Sequence, residues 1–208
     1  MIGVSGAVAS GKSTVAEILA EMLGGPLISA DPIAHEVLAS DAGVKQAILG
    51  RWGDAVRDAN GGICRARLAE IVFNSPADLA ELNRIIHPAI IRRMRGLIDD
   101  ARRNGSPWII MDAALLYETG LDAICDVTVF VQSDWNIRAE RARRDRGWSE
   151  DELRRRDAAQ LPADRKAELS DYSVNNNGSR NETKRQIESI VKHIERHRRK
   201  SNGQLENP

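Results

Sequence analysis

Cysteine is nearly absent. Cys64 and Cys125 are the only two in 208 residues, and neither takes part in a CxxC or metal-ligand spacing. That excludes a disulfide framework and suits a reducing compartment. No apolar run reaches membrane-spanning length. The opening MIGVSG has no basic segment ahead of a long apolar stretch, so no signal peptide is expected and the expected location is cytoplasmic. Neither sign of charge is in excess: Lys+Arg and Asp+Glu are 30 each, so no global field points to a nucleic-acid or membrane partner. Aromatic residues are 4% of the chain, and the basic stretch 192–200 (KHIERHRRK) has none interleaved, which argues against nucleic-acid binding there. A solvated helix face is the expectation for that stretch.

What is present is ordinary globular composition, 42% hydrophobic and 29% charged. The length suits one domain with an insertion, large enough to bury a core without staples. Residues 1–5 (MIGVS) read as a short buried strand. Val15, Ile18, Leu19, Met22 and Leu23 form an apolar stripe at helical spacing over 13–23, stopped by Gly24-Gly25-Pro26. A second strand is expected over 27–30, ending at Asp31. Residues 33–103 read as mostly helical, broken by a turn at 58–62 (DANGG). Strand character returns at 108–111 and 126–131. Arginine clusters over 138–156. A helix is expected over 135–145, and Ser149 with Glu152 three residues on forms a capping box for another. A last strand and turn over 171–178 and a closing helix over 181–198 follow, with 201–208 expected to fray.

Gly6-Ala7-Val8-Ala9-Ser10-Gly11-Lys12-Ser13 matches GxxxxGK[ST], the phosphate-binding P-loop, between a strand and an amphipathic helix as that motif requires. Glycines let the backbone aim successive N–H groups at phosphate oxygens, and the helix N-terminus adds partial positive charge. Lys12 is expected to reach the β- and γ-phosphates, and the Ser13 hydroxyl to ligate Mg²⁺. A GTP-binding reading wants an NKxD-like element, and none occurs. A short P-loop chain with inserted helices and a late Arg-rich helix points to a small-molecule kinase with a lid, because phosphoryl transfer needs charge around the γ-phosphate and exclusion of water. Asp31 stands at a strand end beside the loop, where its carboxylate could take the proton of an attacking hydroxyl. It could equally start a helix ahead of Pro32.

Several stretches together resemble the dephospho-CoA kinase family, from Ile2 to about Gly178. GVSGAVASGKSTVAEIL is similar to its P-loop and first helix, and ISADPIAHEVL to its ADxxAxxV segment. CRARLAEIVF, with Arg65, Leu68 and Phe73, resembles the RxxLxxxVF element. LNRIIHPAI, with Asn83, His87 and Pro88, matches LNxxxHP. MDAALLYETGL resembles the DxPLLxE strand and loop, and NNNG over 175–178 the NNG turn near adenine. Three departures stand out: Ser29 replaces the first Asp of the family's DAD, Ala114 a usual proline, and Ala7 a common glycine.

The resemblance implies an α/β fold: a P-loop NTPase three-layer α/β/α parallel sheet, with an inserted helical acceptor subdomain and an Arg-rich helical lid. The implied regions are a core over 1–32, 104–134 and 170–200, the acceptor subdomain over 33–103, and the lid over 135–169. It implies transfer of the ATP γ-phosphate to the ribose 3′-hydroxyl of dephospho-CoA, with ATP and Mg²⁺ required, in a monomer or weak homo-oligomer. Carried over, Asp31 becomes the base and Arg141 the lid arginine on the ATP phosphates, with Arg144 a rival for that role. The ATP set is then Gly6, Ala9, Ser10, Gly11, Lys12, Ser13, Thr14, Arg141, Arg144 and Asn177, with Asp31, Lys12 and Arg141 catalytic. Arg65 and His87 are assigned to the acceptor, although a histidine before proline is more often structural. Asp112 supports the Mg²⁺ shell through water, or is a structural carboxylate. Two other readings are kept open: a P-loop kinase for a nucleoside, nucleotide or sugar, and a nucleotide-binding switch without an acceptor.

Overall fold

The computed structural model describes residues 1–203. They divide into two units, one of Met1–Leu27 with the chain from Ser106 onward, the other Ile28–Gly105. The segment expected to be helical, 33–103, lies within the second.

The first unit is built on parallel strands. β1 (Ile2–Gly6) is buried along its whole length. A strand flanked on both sides and covered on both faces reads as a continuous buried run. β3 (Ile110–Asp112) pairs with it on one side and β4 (Val127–Gln132) on the other, with Ile2 opposite both Ile110 and Val127. β5 (Tyr172–Asn175) extends the sheet from β4. With β2 (Leu27–Ser29) at the far edge the order is β2-β3-β1-β4-β5.

α1 (Lys12–Leu23) and α9 (Arg180–Gly203) lay Val15, Ile18, Ile187 and Ile194 against Ile2, Val4 and Val131. Gly24 ends α1 in the left-handed region (φ 63°) and donates its N–H to the Ala20 carbonyl, the usual glycine helix stop. α6 (Trp135–Arg146), α7 (Glu150–Ala158) and α8 (Ala163–Leu169) lie between β4 and β5 in the chain. The Ser149 hydroxyl accepts the Glu152 N–H at 3.2 Å, so the expected cap opens α7. α8 has no counterpart among the sequence expectations.

The second unit is helical: α2 (Ala30–Ser40), α3 (Ala42–Trp52), a 3-10 turn, α4 (Arg65–Phe73) and the long α5 (Pro76–Arg103). α5 is its spine, touching α2, α3 and α4. Ser75 caps α5 through its hydroxyl, and Pro76 occupies the first turn, where its missing N–H would have no helical partner anyway. Pro88 lies inside α5, at the end of the LNRIIHP stretch. The expected turn at 58–62 is held by the Asp58 carboxylate, which accepts from Asn60 N (2.8 Å) and Gly62 N (2.7 Å).

Two expected boundaries differ. β2 stops at Ser29, and α2 begins at Ala30, so Asp31 lies in the first helical turn rather than at the strand end. Pro32 explains this, since its fixed φ suits a first turn. At the other end α9 runs to Gly203 where fraying was expected from 201, and 204–208 lie outside the described residues. Among the described residues no helix is long and apolar enough to cross a membrane.

Candidate active site

In the first unit the loop from Gly6 to Ser13 joins β1 to α1, and its tightness explains both motif glycines. A Cβ on Gly6 would lie 2.7 Å from Ser10 Oγ and 2.8 Å from the Val131 carbonyl. Gly11 has φ 87°, and a Cβ there would lie 2.2 Å from Asn176 Nδ2. Ala9 has φ 60°, the only non-glycine with positive φ among the described residues. A left-handed alanine costs about 1–2 kcal/mol, so its neighbours must hold it. Ala7, the departure from the common glycine, is buried without distortion.

The loop's polar groups are tied into the unit. Ser10 is fully buried, and its carbonyl accepts from Asn176 Nδ2 (2.8 Å) and from the Arg141 guanidinium (3.0 Å). Lys12 Nζ donates to the Ala7 carbonyl at 3.1 Å, inside the loop. The Ser13 hydroxyl donates to Asp112 Oδ2 at 2.7 Å, and Asp112 is the buried last residue of β3. Thr14 follows in α1, half-buried. Hydroxyl and carboxylate oxygens side by side are hard donors of the kind Mg²⁺ prefers. Among the described residues no cluster of three or more His, Cys, Asp or Glu could hold a metal ion.

The arginines of the late helices separate by role. Arg141 also donates to the Asn176 carbonyl (2.8 Å) and Ser133 Oγ (3.3 Å), so its guanidinium braces the loop wall. Burial, and then repulsion from Arg144, lower its pKa, yet an arginine stays charged under such pressure. Arg144 is exposed and paired with its neighbour Asp145. Asn177 does not touch the loop; its side-chain carbonyl accepts the Asp134 N–H at 2.8 Å. The buried Asn176 does bond the loop, and its four polar groups all have partners: Ser10 O, Thr183 Oγ1, Gln132 O and Arg141. Alternation along β5 carries the signal, because Val174 points inward and the residue two on does the same.

Lys166 on α8, 0% exposed, donates to the Ala114 carbonyl (2.7 Å) and pairs with Glu118 (2.9 Å). Ala114 thus gains an anchor where proline is missing.

In the second unit Asp31 is exposed in the first turn of α2, without a hydrogen-bond or ion-pair partner among the described residues. His35, one turn on, shares its helix face. Arg65, at the start of α4, donates to His35 Nε2. His35 was not among the expected site residues. His87 is half-buried on α5 just before Pro88.

The family model for dephospho-CoA kinase matches residues 1–182. A dephospho-CoA kinase of Geobacillus kaustophilus is 38% identical over 191 residues, covering 92% of this chain and 94% of the relative. A crystal structure from Thermus thermophilus superposes with TM-score 0.74 at 27% identity, covering 93% of this chain and 96% of that one. The dephospho-CoA kinase of Campylobacter jejuni has the same fold, with TM-score 0.66 at 23% identity over 95% of this chain and 98% of its own. With the phosphate cradle and the sequence in agreement over most of its length, the chain belongs to the dephospho-CoA kinase family.

Proposed function

We propose that this protein transfers the γ-phosphate of ATP to the ribose 3′-hydroxyl of dephospho-CoA, giving coenzyme A and ADP. The observation that carries the reading is the braced cradle, with Lys12 inside the loop and Ser13 bonded to Asp112 at its mouth. The family's relatives supply the acceptor.

In this mechanism the loop amides and Lys12 hold the β- and γ-phosphates. Arg141 fixes the loop wall, and Arg144 is the arm whose side chain turns from Asp145 toward phosphate. Ser13 and Asp112, already bonded to each other, are the residues that would hold Mg²⁺, which would supply positive charge against the phosphates. Asp31 orients the 3′-hydroxyl and takes its proton as the oxygen–phosphorus bond forms and the bond to ADP breaks in line. Because such transition states are loose, positioning contributes more than the base. Arg65, held by His35, and His87 bind the acceptor. The adenine edge lies near Asn176 and Asn177. The enzyme acts in the cytoplasm as a monomer or weak homo-oligomer.

A coupled ADP-release assay over a panel of acceptors tests this. Turnover is expected on dephospho-CoA, with product phosphorylated at the 3′-position by mass and NMR. Turnover on gluconate, a nucleoside or a nucleotide instead would overturn the acceptor, and slow acceptor-independent hydrolysis alone would overturn the kinase.

A further inference from the structure

Two residues outside the P-loop and outside the set assigned above grip it from behind. Arg138 on α6 and Asp157 on α7 face each other fork to fork, at 2.8 Å (NH1 to Oδ1) and 3.1 Å (NH2 to Oδ2). Both also bind one loop residue: Val8 N donates to Asp157 Oδ1 at 3.3 Å, and Arg138 NH1 donates to the Val8 carbonyl at 3.2 Å. Arg138 is 7% exposed, and Val8, Ala142 and Leu153 pack as a buried cluster beside it. The Trp135 ring lies under the guanidinium.

Peptide geometry gives these contacts a direction. In a planar trans peptide the C=O and N–H point opposite ways. With the Val8 N–H drawn out to Asp157, the Ala7 carbonyl of the same plane faces in, where it accepts Lys12 Nζ (3.1 Å) and Ser10 N (3.3 Å). With the Val8 carbonyl drawn out to Arg138, the N–H of Ala9 faces in, and Ala9 is the residue held at φ 60°. A buried ion pair is weak evidence for stability, and Arg138 Nε is buried without a partner, so its worth is sought in position. We propose that Arg138 and Asp157 are positioning residues that set two consecutive P-loop peptides, aiming Ala9 N–H at the phosphates and Ala7 O at Lys12. Bidentate pairing also neutralises a carboxylate that would otherwise stand bare against the anion site.

Calorimetric binding of ATP with magnesium tests this and is independent of the acceptor. Arg138→Gln is expected to weaken ATP binding about tenfold and Asp157→Ala about threefold. The double variant should bind no worse than Arg138→Gln alone, because it removes the bare carboxylate. Asp157→Asn, which still accepts the Val8 N–H, should recover part of the Asp157→Ala loss. A pair that only stabilises the fold would lower Tm and leave the Kd of the folded fraction alone. ATP affinity within about twofold of the unaltered enzyme in both single variants would therefore overturn the proposal. Should either variant fail to fold, amide exchange in the unaltered, nucleotide-free protein decides. A slow Val8 N–H is expected, and one exchanging like an open loop overturns it.

Discussion

The polar groups of the two units are partnered to very different degrees. In the first, most groups around the cradle already have partners, the buried Ser10 Oγ excepted: Ser10 O holds two donors, Asn176 is bonded at every polar group, and Ser13 rests on Asp112. In the second, Asp31 is exposed and unpartnered among the described residues, and the exposed Arg65 leans on a single imidazole. A preorganised polar site needs little reorganisation when charge develops on a phosphate, which is where most electrostatic catalysis resides. Under the proposed function, the face that meets the acceptor is left for the ligand to complete. The phosphate side is built in advance, and the acceptor side is finished on binding.

The sharpest way to break this contrast is at Lys12. Lys12→Ala is expected to reduce kcat by about 10³-fold and to weaken ATP binding as well, since a prebuilt group serves ground state and transition state together. Loss of kcat alone, with ATP affinity intact by calorimetry, would mean the cradle does not depend on it for binding. Next comes Asp31→Asn, expected to lower kcat by about 10²-fold while ATP affinity stays unchanged. Near-normal turnover in that variant would remove the base from the mechanism. The mildest test compares the cysteines, one in each unit. A hydrogen bond from Arg67 holds the Cys64 thiol below its usual pKa, whereas burial pushes Cys125 up to about 12. The thiolate is the reactive form, so at any pH below both values Cys64 carries the larger reactive fraction. Iodoacetamide at pH 8 should label Cys64 at least about tenfold faster, read by peptide mass. Equal rates would erase the difference between the units at these positions.

Much of the frame could be read from the chain. β1, the P-loop and α1 were legible because a buried strand, paired glycines and an apolar stripe each leave a pattern. The 3.6-residue signal weakens where charge does the packing. α8 has one buried residue, Lys166, so no apolar stripe marks it. α6 likewise buries Arg138 and Ala142, and an arginine bonded inward looks the same in sequence as one in solvent. Asn176 and Asn177 are identical neighbours, separable only by strand register, and the loop contact fell to the former. Asp31 is marked in the sequence by its place just after a strand, but whether that place is strand or helix depends on Pro32. His35 stayed hidden because its partner Arg65 is 30 residues away in the chain.

The chain leaves the first unit at Leu27 and re-enters it at Ser106, while the Pro26 carbonyl accepts the Ile110 N–H at 2.9 Å. Exit and return therefore lie close together in the first unit, and Ile28 to Gly105 is one continuous excursion of the chain. Past the end of β2 at Ser29, such an excursion can be replaced by another length of chain without changing the order of the remaining strands. Under the proposed function the cradle then acts as a socket, and a change of acceptor is a graft at two nearby points rather than a redesign of the fold.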